Sequence, residues 1–138
     1  MNEKHKLIID WINKADHDFG SAKLIFLHIP QYFDTIAFHC QQAVEKYLKA
    51  ALIYFDIEVP KTHNLLYLLD ILSNFKEIDD ATYDKAIILN GYSVQIRYPD
   101  TSIYLTTDEL KSSIEIAQEF RNLILQTLRI NDSDLDNL

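Results

Sequence analysis

The chain has 138 residues, of which 48% are hydrophobic and 25% charged, with 2 Gly, 3 Pro, 1 Cys and a formal net charge of −8. That is the length of one domain able to bury about 68–70% of its unfolded surface, which excludes a disordered or fibrous chain. The scarcity of glycine excludes folds rich in tight turns and phosphate-cradling glycine loops, and 13 Lys+Arg against 21 Asp+Glu exclude tracking of nucleic acid by bulk charge.

Ile8, Ile12, Ala15, Phe19, Ala22, Phe26 and Ile29 recur at steps of four and three, with Lys14, Asp18, Ser21 and Lys23 between them. This spacing predicts an amphipathic helix, which Pro30 closes. A second helix opens at a cap formed by Asp34 or Thr35 and runs through IAFHCQQAVEKYLKAALIYF. Ile36, Cys40, Ala43, Val44, Tyr47, Ala51 and Phe55 share its apolar face; Gln42, Glu45 and Lys49 lie opposite.

DIEVP breaks the pattern, and Thr62 is the expected cap of a short third helix, HNLLYLLDILSNF, apolar on most sides and therefore expected between longer neighbours. The fourth helix starts near Asp79 and Asp80, whose carboxylates suit the positive end of its dipole, and stops at Tyr98-Pro99; Gly91 loosens it without ending it. Thr106 and Glu109 form a capping-box signature ahead of the last helix, striped by Leu110, Ile114, Ala117, Phe120, Ile124 and Leu128. The expected architecture is all-α: an antiparallel up-and-down four-helix bundle with an additional short helix, over residues 1–130. Residues 131–138, NDSDLDNL, read as an acidic, flexible tail.

No run of about 18 apolar residues suggests a membrane span. The opening MNEKHKLIIDWINK lacks the apolar core of a secretory signal, and Cys40 has no disulfide partner, so the expected location is the cytoplasm.

The polar residues that interrupt the packing pattern are the candidates for chemistry. His39, Gln42, Lys46 and Lys49 form a ridge of donors along the second helix, suited to a phosphate or a base edge. The plainer reading makes His39 a packed boundary residue and Glu45–Lys49 a solvated ion pair. His63, placed just inside the third helix, is a candidate proton acceptor because the helix dipole disfavours its protonation, or else a capping residue beside Thr62. Arg97-Tyr98-Pro99-Asp100 offers a guanidinium that can clamp a phosphate and a ring that can stack on a base, with Tyr104 in support. Arg97 serves equally well as a helix C-cap or as the partner of Asp34 or Asp100. The remaining histidines lack the spacing of metal ligands, and no nucleophile elbow, HExxH or CxxC occurs, so neither a metal nor a cofactor is expected.

Trp11, Ala15, Asp18 and Ala22, the block FHCQQAVEKYLKA from Phe38 to Ala50, the junction Pro60-Lys61-Thr62-His63-Asn64-Leu65 and the stop Arg97-Tyr98-Pro99 resemble the HEPN domain family of prokaryotes over nearly the whole chain. That resemblance implies a homodimeric four-helix bundle encoded beside a small nucleotidyltransferase in a toxin–antitoxin, defence or stress system. It implies metal-independent ribonuclease activity for members with an arginine followed four to six residues later by histidine. Here Arg97 is followed by YPDTSIYL, and no histidine occurs after His63. The expected function is therefore a nucleotide- or RNA-binding module using His39, Gln42, Lys46, Lys49, His63, Arg97, Tyr98 and Tyr104. The alternative is a ribonuclease using Arg97 with His39 or His63, which requires one imidazole to lie close to the guanidinium. A further possibility implied by the resemblance is nucleotidyl transfer onto tyrosines of YSVQIRYPDTSIY.

Overall fold

A computed structural model describes residues 2–96 and 104–135. The helices are α1 (Glu3–His28), α2 (Phe33–Tyr54), α3 (Leu65–Leu72), α4 (Asp80–Ile96) and α5 (Thr107–Leu128), followed by a short 3-10 turn, Asp132–Asp134. The fold is all-α, an antiparallel bundle of four long helices with α3 as the additional short one. Helix α2 is its axis, packing against each of the other four.

Helix α1 buries Ile8, Ile12, Ala15, Phe19 and Ala22 as the periodicity predicts. The stripe ends early, because the chain leaves the helix at His28 and Ile29 is already outside and exposed. Helix α2 starts before the expected cap. Tyr32 occupies the N-cap with no side-chain hydrogen bond, and Asp34 Oδ1 accepts only from the Thr35 N–H, at 2.9 Å. Packing of the Phe33 side chain against the core stabilises a first turn that no polar cap supports.

The start of α3 also differs from expectation. Asn64, not Thr62, is the cap, its Oδ1 accepting from the N–H groups of Leu66 and Tyr67 at 3.0 and 3.4 Å. Asn90 of α4 accepts the preceding N–H, that of Leu65, at 2.9 Å, so three of the orphan donors at this helix start are satisfied. His63 is therefore outside the helix. The Thr106–Glu109 capping box of α5 is present in both directions, at 3.1 and 3.0 Å, and Asp79 Oδ1 accepts from the Thr82 N–H at 2.8 Å near the start of α4. Gly91 is an internal residue of α4; the expected stop at Tyr98-Pro99 lies outside the described residues.

With two glycines in the whole chain, α2 and α5 end without one. Asp56 (φ 61°) and Arg129 (φ 55°) adopt the left-handed conformation that usually falls to glycine. In each case the next N–H reaches back five residues, Ile57 to the Leu52 carbonyl at 2.9 Å and Ile130 to the Leu125 carbonyl at 3.0 Å, in the Schellman pattern. The turn at Asp56 sends the chain back toward α1, and the turn at Arg129 leads into a segment that is attached: Leu135 is buried and Asp132 pairs with Arg121.

No helix among the described residues is long and apolar enough to cross a membrane. Cys40 is fully buried, and burial pushes its thiol up to about 12, so it supplies no thiolate near neutral pH.

Candidate functional site

Because α2 is surrounded, its polar face is covered as well as its apolar one. Gln41, Glu45 and Lys49 are all buried, with Glu45 only 3% exposed. Glu45 Oε2 accepts from Lys49 Nζ at 3.0 Å, and Oε1 lies 2.8 Å from His63 Nδ1. The expected solvated Glu45–Lys49 pair is thus a buried one, and the burial is possible because each charge has a partner of opposite sign or a hydrogen bond. Lys49 Nζ also lies 5.7 Å from the centroid of the Trp11 ring on α1, within range of a cation–π attraction.

The backbone of His63 is held by the same helix. Gln41 Nε2 donates to the His63 carbonyl at 2.9 Å, and Gln42 Nε2 donates to Gln41 Oε1 at 2.9 Å, which orients the first amide. With Nδ1–H directed at an ionised carboxylate, the nitrogen left for a ligand or a proton is Nε2. The His63 side chain is 55% exposed while its carboxylate partner is 4% exposed, so a buried group orients an accessible one.

A second cluster repeats the theme nearer the start of α2. Asp18 of α1 lies with Oδ1 2.8 Å from His39 Nδ1, and its Oδ2 accepts from Lys46 Nζ. Each cluster combines one carboxylate, one lysine and one imidazole, and is neutral when the imidazole is neutral. Burial alone pushes the Asp18 carboxyl up, but the hydrogen bonds from His39 and Lys46 outweigh it and hold the group below the ordinary value of 3.8. Ionised Asp18 therefore favours the folded state. Its contribution is complete above 3.8 and disappears as pH falls through the lower folded value. Thermal melting followed from about pH 5 to about pH 2 should fall more steeply for the wild-type chain than for Asp18→Asn.

The structure thus gathers His39 and Lys46 around Asp18, and Lys49 and His63 around Glu45, with Gln42 bracing the second cluster through Gln41. Two lysines read from the sequence as ready phosphate donors are committed to carboxylates. Tyr104 is 78% exposed, its ring 5.6 Å from that of Phe33. Arg97 and Tyr98 lie outside the described residues.

One network has no counterpart in the sequence reading. Asp16 of α1 accepts from Tyr47 Oη of α2 and from Arg121 of α5, whose Nε and Nη2 reach its two oxygens at 2.8 and 3.2 Å. Arg121 Nη2 also donates to Asp132 at 2.9 Å. The available signal was compositional: few arginines occur, and one of them interrupts the stripe of the last helix. Among the described residues no cluster of three or more His, Cys, Asp or Glu is arranged to hold a metal ion.

An all-α bundle with a buried carboxylate–lysine–histidine cluster on its axial helix defines the class to which the molecule is to be compared. The chain belongs to the HEPN domain family, whose sequence profile matches residues 8–128. Two solved structures share the fold. One is an archaeal HEPN homologue, 23% identical with a TM-score of 0.71, covering 88% of this chain and 97% of that one. The other is TT1696 from Thermus thermophilus, 23% identical with a TM-score of 0.74, covering 91% of this chain and 98% of that one. Comparison with curated protein sequences gave no match.

Proposed function

We propose that this HEPN-domain chain is a homodimeric nucleotide- or RNA-binding module that acts with a small nucleotidyltransferase in a toxin–antitoxin, defence or stress system. The observation that supports it best is the accessible His63 imidazole held by buried Glu45. A buried ion pair contributes little net stability over apolar side chains of the same size, so its presence under an exposed histidine is better explained by positioning that ring. Nε2 can then donate to a phosphate oxygen or accept from a base or a ribose hydroxyl. With a net charge of −8, the ligand is a mononucleotide or a short RNA element held locally, not a long tract. Arg97 provides the guanidinium of this reading.

The same geometry favours a second reading, a metal-independent endoribonuclease. A carboxylate that fixes Nδ1–H leaves Nε2 oriented to take the proton of a 2′-hydroxyl. One set of samples separates the two. Calorimetry with nucleotides and short RNAs in chelator is expected to show saturable binding that His63→Ala and Arg97→Ala each weaken by about tenfold or more, a loss of about 1.4 kcal/mol. Absence of binding at millimolar ligand overturns the proposal. RNA cleavage in chelator that disappears in His63→Ala establishes the enzyme, whereas equal cleavage by both proteins identifies a contaminant.

A further inference from the structure

The start of α1 and the chain leaving α2 enclose an open groove of about 750 Å³. Its apolar lining is Leu7, Trp11, Ile53, Ile57 and Val59, with Leu7 47% exposed. A second hollow of about 350 Å³ shares Leu7, Asp10 and Trp11 and continues along α1 to Lys14. From Glu3 to Lys14 the lined face extends about 16 Å at the rise of an α-helix, close to three turns.

The charges around this groove are unbalanced. Glu3, Asp10, Asp56 and Glu58 line it against Lys4 and Lys6. Lys4 is committed to Asp56 at 3.0 Å; Glu3, Asp10 and Glu58 have no ion pair among the described residues, and neither do Lys6 or, in the second hollow, Lys14, so three free carboxylates face two free lysines. An excess of free carboxylates beside an indole repels phosphates, so the groove does not suit the ligand proposed for His63. It also disfavours a second copy of a chain that carries −8 overall.

We propose that this groove docks a basic amphipathic helix from a partner polypeptide. An apolar side chain of the partner covers Leu7 and Trp11, and flanking Lys or Arg residues meet Glu3, Asp10 and Glu58. The aliphatic stem of an arginine fits the apolar lining while its guanidinium reaches the carboxylates. The proposal does not rest on the reading of His63, and its test uses Asp10 and Glu58, which lie outside the Glu45 cluster.

Trp11 is the chain's single tryptophan, so its emission reports on the groove without a label. The probes are a helical peptide of Leu, Ala and Arg about four turns long and a peptide with Glu in place of each Arg. The Arg peptide should give a saturable emission shift, with calorimetry as a second readout, and the Glu peptide should bind at least about tenfold more weakly. Asp10→Lys with Glu58→Lys should weaken the Arg peptide by about tenfold or more, as should added salt in the wild type, while leaving nucleotide binding unchanged. Leu7→Glu, at an exposed position, provides a second variant, and circular dichroism checks that both keep their helices. No saturable response to the Arg peptide, equal affinity for the two peptides, or undiminished binding by the charge-reversed chain overturns the proposal.

Discussion

Glu45→Ala is expected to lower the stability of the fold by about 3–5 kcal/mol, the usual cost of removing one partner from a buried ion pair. The carboxylate is 3% exposed and serves two donors, Lys49 Nζ and His63 Nδ1. Without it, Lys49 remains as a buried cation, its side chain only 9% exposed, with the Trp11 ring as its nearest compensation. His63 loses less, since its exposed ring can turn to water. The double variant Glu45→Met with Lys49→Met removes both charges, fills the same space, and is expected to regain most of the loss. Urea unfolding of the three proteins, compared at unchanged slope, measures the difference. The double variant also separates folding from function: it keeps the bundle but leaves His63 unanchored, so nucleotide affinity should fall as it does in His63→Ala. A double variant that binds as the wild type does would show that the carboxylate serves only the fold.

The helices were legible because periodicity and terminal chemistry are local properties. The α1 stripe, the Thr106–Glu109 box and the persistence of α4 through Gly91 all follow from neighbours within a turn or two. The cap of α3 was ambiguous for the same reason. Thr62 and Asn64 are both competent caps, and the choice of Asn64 is reinforced by Asn90, which arrives from another helix. Burial on α2 was the larger obstacle. A spacing of four residues predicts that Glu45 and Lys49 meet, but whether they meet in water depends on how many sides of the helix are covered, and α2 is packed by four helices. The donors on the candidate ridge and the Glu45–Lys49 pair were found from the sequence, whereas the carboxylate contacts of His39 and His63 were not, because Asp18–His39 and Glu45–His63 join residues 21 and 18 positions apart.

Arg121→Ala is expected to cost about 2–3 kcal/mol, near the upper end for hydrogen bonds to a charged group. The guanidinium is 18% exposed, Asp16 is 16% exposed, and their two contacts join α1 to α5 across 105 residues of sequence. Burial and the neighbouring Asp16 carboxylate both push the Tyr47 hydroxyl well above its ordinary value, so Tyr47 stays a neutral donor to Asp16. Loss of Arg121 therefore leaves a carboxylate with one neutral partner in a mostly covered site, which is why the cost exceeds that of a surface pair. Asp132→Ala removes only the outer contact, whose carboxylate is 72% exposed, and should cost less than about 1 kcal/mol. Thermal unfolding of both variants checks the ordering. If Asp132→Ala proved as damaging as Arg121→Ala, the stabilising contact would lie between α5 and the C-terminal turn, and the Asp16 link between α1 and α5 would be dispensable.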